Sequence, residues 1–272
     1  MHKRLWIMGV FSIGIVLVAS IVSPIPQSMA YHQFADQHTY WGVQNFFNVV
    51  SNLAFLLSGV AGVIFIGGSL QSPAHSVFIT RSEHWPYLIF FLSVVMACFG
   101  SAYYHWAPDN DRLLWDRLPI AIALMALLAA TFSERVSLKL GPRLMPLFIL
   151  LGVGSVLYWY WSEQMGAGNL NFYIVVQFYS LLLIVLLSLF FSSRYRRGAD
   201  IYVALILYAI AKLAEIMDQE IYDLTQIISG HTLKHLLAAL AICWILRMLR
   251  KREPLPEKLS GLSNPDILSN SA

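Results

Sequence analysis

The chain has 272 residues, of which 58% are hydrophobic and only 12% charged, a balance well outside that of soluble domains. It reads as an integral membrane protein, and the small formal net charge of +3, with no basic tract interleaved with aromatics, gives no sign of nucleic-acid binding. The two cysteines, Cys98 and Cys243, both fall in apolar runs, so they suggest packing rather than a disulfide framework or a thiolate metal site.

A bilayer core about 30 Å thick takes about 20 apolar residues per helix. Windows of that kind fall near residues 5–23, 45–69, 85–104, 115–133, 143–161, 172–192, 200–217 and 231–248. The expected fold is therefore all-α: a polytopic membrane bundle with a seven-helix core preceded by one amino-terminal span. Residues 1–30 form that added segment. Their basic start, apolar run and small-residue ending also fit a signal peptide cut after Ala30, but the run of about 18 residues exceeds the usual signal length and favours a retained helix. Residues 31–252 make one compact membrane domain, since connectors such as "APDNDRLL" and "SSRYRRGAD" are short. The polar stretch 253–272 is expected to be a flexible tail.

Lysine and arginine collect in cytoplasmic loops. With a cytoplasmic amino terminus, fourteen of the eighteen basic residues fall in inner segments, the exceptions being Arg112, Arg117, Lys212 and Lys234. Both termini are then cytoplasmic.

In that topology Ser101 and His105 close the third span at its outer end, Asp116 opens the fourth, and His231 and His235 open the last. A step of four returns to the same helix face, so each pair shares a face. The remaining histidines, His2, His32, His38, His75 and His84, read as terminal or loop residues. Three neutral imidazoles around a tetrahedral ion leave one position for water, whose pKa such an ion lowers to about 7. Zinc suits these ligands, and other first-row metals do too. Taken singly, His105 reads as a rim residue, Ser101 as a hydroxyl bonded back to its helix, and Asp116 as a helix-start carboxylate or a partner for Arg117; convergence is what makes them a site.

Other polar residues have plainer readings. Lys212 and Glu215 are three apart and suggest an ion pair on one helix face. Lys234 is expected to snorkel, Asn48, Ser51 and Asn52 to bond between helices, and Ser58, Gly59 and Gly62 to allow close approach. The run Tyr158–Trp159–Tyr160–Trp161 reads as an interfacial belt.

The S-x-x-x-H of "SAYYH", the aspartate eleven residues later in "WDRLP", and the H-x-x-x-H of "SGHTLKHLL" together resemble the alkaline ceramidase family. That family lies within a superfamily of seven-helix membrane hydrolases that includes the progestin and adipoQ receptors. The segments "FADQ" and "NFFNVVSNLAF" are similar to its bacterial branch, and the resemblance covers about residues 34–247. It implies Zn²⁺ on His105, His231 and His235, with Ser101 and Asp116 catalytic. The implied activity is hydrolysis of the amide bond of ceramide or a related N-acyl lipid, in the plasma (inner) membrane of a bacterium with the site near the outer face. Some members also bind Ca²⁺ through acidic residues ahead of the first core helix. Here only Asp36 and Asn45 stand in comparable places, which weakens that expectation. The expected partners are the lipid substrate and the bilayer. The alternatives are a receptor-like protein with a structural or vestigial metal site, and a proton or cation transporter; the latter is disfavoured by nearly apolar inner halves such as "IVVQFYSLLLIVLLSLFF".

Overall fold

The computed structural model describes residues 2–71 and 77–256. Nine helices account for most of them, and the described residues include no strand. In chain order these are α1 (His2–Ile21), α2 (Phe46–Gln71), α3 (Arg81–Trp106), α4 (Asn110–Arg135), α5 (Leu140–Gln164), α6 (Asn171–Phe190), α7 (Asp200–Ile216), α8 (Asp218–Thr225) and α9 (Gly230–Lys251). All but α7 and α8 are long and apolar enough to cross a membrane, so the protein is a multi-pass helical bundle.

That makes seven such helices where eight were expected, because α7 has only 17 residues. It nevertheless runs the length of the bundle, and at a rise of 1.5 Å per residue it spans about 26 Å. At one end its Asp200 lies 3.6 Å from Arg247 of α9, and at the other its Glu215 lies 3.0 Å from Lys234 of α9. The two helices are therefore antiparallel neighbours.

Helix α4 is the most deeply buried span. Ala121, Ala126 and Ala129 are fully buried along it, and these small side chains let neighbouring helices close in. Asp109 caps its start, accepting from Arg112 N at 2.7 Å. Only residues 107–109 thus connect α3 to α4, less than the "APDNDRLL" connector expected. In α2, Ser58, Gly59 and Gly62 are buried where α3 approaches, and a side chain at Gly62 would strike the Phe91 ring. Helix α1 is the most exposed and docks on α6. Arg4 donates to Phe190 O at 2.7 Å, Ser12 Oγ lies 2.8 Å from Tyr179 Oη, and Asn171 donates to Ala19 O at 3.2 Å.

The two ends of the bundle are polar in different ways. One gathers Glu83, Glu134, Arg135, Tyr195 and Arg252, all buried. There the Arg252 guanidinium lies 4.1 Å from the Tyr195 ring and 4.3 Å from the Phe78 ring, and 3.5 Å from Glu134 Oε2. Tyr195 donates to Glu83 Oε2 at 2.6 Å; burial and the Glu83 carboxylate push its phenol well above the ordinary value, so it stays a donor. The segment after α9 belongs to this network as well, with Arg196 N donating to Glu253 O and Leu255 N to Arg194 O. The expected free tail therefore begins no earlier than residue 256, and residues 257–272 lie outside the described ones. The opposite end carries His105, His231 and His235.

Two further expectations change. Cys98 is buried, but Cys243 is exposed on the outside of α9. Trp159, expected in an interfacial belt, is fully buried, while Trp161 is 55% exposed.

Candidate metal centre

His105 ends α3, and His231 and His235 sit on the first turns of α9. All three are buried, at 0%, 3% and 2% exposure. Their ring centroids lie 4.6 Å apart for His105 and His231, 4.9 Å for His105 and His235, and 5.0 Å for His231 and His235. One ring nitrogen from each falls within 4.8 Å of the others, so the group is competent to hold a metal ion. The Nε2 atoms of His105 and His231 are 3.2 Å apart. Two nitrogens bound at 2.0–2.1 Å to one tetrahedral ion lie about 3.3 Å apart, so the pair is already at ligand spacing. No other group of three or more such ligands occurs among the described residues.

Neighbouring groups fix the rings. Ser51 Oγ lies 2.8 Å from His235 Nδ1, which leaves His235 Nε2 for the ion, as metal-binding imidazoles usually require. Asn45 donates to His105 O at 2.9 Å, satisfying a carbonyl left open at the end of α3. Asp218 accepts from His231 N at 2.6 Å and from Ala35 N at 2.9 Å. It thereby ties the start of α9 to the segment between α1 and α2. Ser229 caps α9, and Asn48 accepts from the Thr232 hydroxyl at 2.7 Å. Phe34, from the same α1–α2 segment, places its ring 4.6 Å from both His105 and His231. It seals that side against water.

Asp36 caps α2 instead of standing open. Its Oδ1 accepts from His38 N and lies 2.9 Å from His38 Nδ1, and its Oδ2 accepts from Phe47 N and Asn48 N. With Asn45 committed to His105, neither residue named for Ca²⁺ belongs to a carboxylate cluster.

A cavity of about 330 Å³ begins at His235 and runs down the bundle. Ser101, Asp116, Glu215 and Lys234 line its polar end near His235, and Val94, Leu124, Leu127, Ile242 and Ile245 its apolar throat. Ser101 lies against the Asp116 carboxylate, and both are buried. Every residue singled out in the sequence, namely Ser101, His105, Asp116, His231 and His235, is thus brought to one end of the bundle. The approach of α3 to α4 makes this happen: a side chain at Gly100 would strike the Trp115 carbonyl, and only hydrogen there lets Ser101 meet Asp116.

Lys234 does not snorkel. Its Nζ lies 2.7 Å from His231 Nε2 and 3.0 Å from Glu215 Oε1, and Glu215 also holds Lys212. His84, expected in a loop, is buried within α3 against Ser69 and Arg81 O. His32 bridges Tyr104 and Asn110 at 3.0 Å each. His75 lies outside the described residues. Ser51 bonds between helices as expected, with His235 as the partner, whereas the contact of Phe34 with the rings had no sequence signal.

Comparison with family models, with curated proteins and with solved structures gave no match to this chain. What fold and site define is a multi-pass helical membrane protein with a buried three-histidine group competent to hold a metal ion.

Proposed function

We propose that the protein is a zinc-dependent membrane amidohydrolase that cleaves ceramide or a related N-acyl lipid to a fatty acid and an amine. One observation carries the reading: three imidazoles that could share an ion, one of them His235, adjoin a largely apolar cavity that Ser101 and Asp116 also line. A bound ion supplies Lewis acidity and a nucleophilic water at neutral pH. The throat takes the acyl chain, and its length from His235 to Ile245 is about 15 Å at 1.5 Å per residue. Asp116 accepts the proton of the attacking water and returns it to the leaving nitrogen. The Ser101 hydroxyl turns from Asp116 to donate to the developing oxyanion, a contribution typically worth about 2.7–4 kcal/mol.

The described residues offer the ion three ligands of the usual kind and no fourth carboxylate or thiolate, which supports an open position over a closed structural site. The apolar throat gives no support to an ion relay across the bilayer. The basic residues near the Arg252 end support an orientation with that end and both termini cytoplasmic and His105, His231 and His235 toward the outside.

The test is metal analysis of the purified protein together with mass spectrometry of fatty acid released from N-acyl lipids. We expect one zinc per chain, and release abolished by His231→Ala or by chelation. Undiminished release from either preparation would overturn the proposal.

A further inference from the structure

Arg117 follows Asp116 on α4 and lines the same cavity, and among the described residues no carboxylate lies within ion-pair distance of its guanidinium, the neighbouring Asp116 charge acting on it only through space. The residue is 5% exposed. Its Nη2 donates to Gln27 Oε1 at 2.6 Å. Its other face is boxed by the rings of Trp159, Tyr173 and Tyr31, at 4.1, 4.8 and 5.6 Å. Nη1 is buried with no hydrogen-bond partner among the described residues. Ring faces recover about 2 kcal/mol for a desolvated cation; they supply no acceptor for the orphaned N–H groups, and a buried charge left unpaired is costly.

The surplus extends across the polar end of the cavity. Glu215 is shared by two ammonium groups, those of Lys212 and Lys234. The cavity wall therefore carries three fixed cations, Arg117, Lys212 and Lys234, against two carboxylates, Asp116 and Glu215. Any divalent ion held by the imidazoles adds to the excess. Arg117 also sits level with Asp116, above the leucines of the throat, where the amine half of a bound N-acyl lipid would lie.

We infer that the amine half of the substrate carries a carboxylate that pairs with Arg117, so that within the N-acyl lipids of the proposed function the N-acyl amino acids are preferred over ceramide and other neutral N-acyl amino alcohols. The inference rests on the amidase reading for its chemistry, in which one water is consumed and a fatty acid and a free amino acid are released. The guanidinium fork suits a carboxylate in a way an ammonium does not.

The experiment is equilibrium binding of N-oleoylglycine, N-oleoylethanolamine and oleate to the full chain in lipid nanodiscs, with oleate release from the two amides measured in parallel. The native protein is expected to bind N-oleoylglycine about 10- to 100-fold more tightly than N-oleoylethanolamine, the range of one charge-assisted hydrogen-bonded pair. Arg117→Gln is expected to abolish that preference by weakening N-oleoylglycine about 10- to 100-fold more than N-oleoylethanolamine. Arg117→Lys, which keeps the charge without the fork, is expected to retain part of it and reports independently should the glutamine variant not fold. Equal binding of both amides by native protein overturns the inference. So does an Arg117 substitution that weakens both alike, the signature of a purely structural residue. Arg117 dependence as strong for oleate as for N-oleoylglycine overturns it too, by assigning the guanidinium to the product. Arg117-dependent preference without oleate release leaves the anion site standing and removes the amidase; equal release from both amides does the reverse.

Discussion

The Ser51 hydroxyl and His235 Nδ1 lie 2.8 Å apart across two helices, α2 and α9. Through this contact a helix that contributes none of the three imidazoles leaves His235 Nε2 free for an ion that the group could hold. Removing such an orienting partner typically costs 10- to 100-fold in metal affinity. Ser51→Ala is therefore expected to weaken zinc binding by about that factor with the helical content unchanged, as read by chelator competition and circular dichroism.

Lys234 places a positive charge on His231 Nε2, one of the atoms at ligand spacing. A fixed cation beside a divalent ion opposes its binding. Lys234→Met is expected to raise zinc affinity by at least about tenfold, since one ammonium within about 5 Å is worth more than 1.4 kcal/mol even at an effective dielectric of 20. Unchanged or weaker affinity in the same competition would show that Glu215 already neutralises the lysine.

Asp218 holds the backbone of His231 and of Ala35 with its two oxygens. Asp218→Ala leaves both amides without an acceptor, at about 1–3 kcal/mol each where water cannot replace it. The expected outcome is a lower unfolding temperature in detergent and faster proteolysis between residues 33 and 45, where the Asp218 tether is lost.

At Gly100 the α3 and α4 backbones touch, with the Trp115 carbonyl where a methyl group would go. Overpacking of a well-fitted contact commonly costs 1–3 kcal/mol, and relief here requires α4 to move away from Ser101. Gly100→Ala is expected to lower both thermal stability and fatty-acid release, while Gly154→Ala, which meets nothing within 4 Å, changes neither.

Hydropathy made most of the bundle legible, because a span needs only length and composition. The candidate ligands were legible because a step of four on a helix has one geometric outcome. Lys234 was not: periodicity places its Cα on a different face from His235, but its long side chain swings back to reach His231. Phe34 and Asp218 lie in connecting segments, where no period relates sequence to direction, and their contacts depend on tertiary closure. Trp159 resembled a surface aromatic because its neighbours are exposed; its burial follows from Arg117, a residue on another helix. The span at α7 was recognised, but its ends were set by polar pairs with α9 that composition does not record.

The Arg252 network has a bearing on the distant end of the molecule. Arg252 donates to Val77 O at 3.2 Å and is wedged among Phe78, Tyr87 and Tyr195, which fixes the far terminus of α9 along its axis. Seventeen residues separate it from His235, about 26 Å of rigid rod. The bond between a zinc ion and an imidazole tolerates errors of only about 0.2 Å, whereas slipping the rod by a single residue shifts both rings by about 1.5 Å. The arginine thus works as a depth stop, and damage at one membrane face would be registered as lost ion affinity at the other.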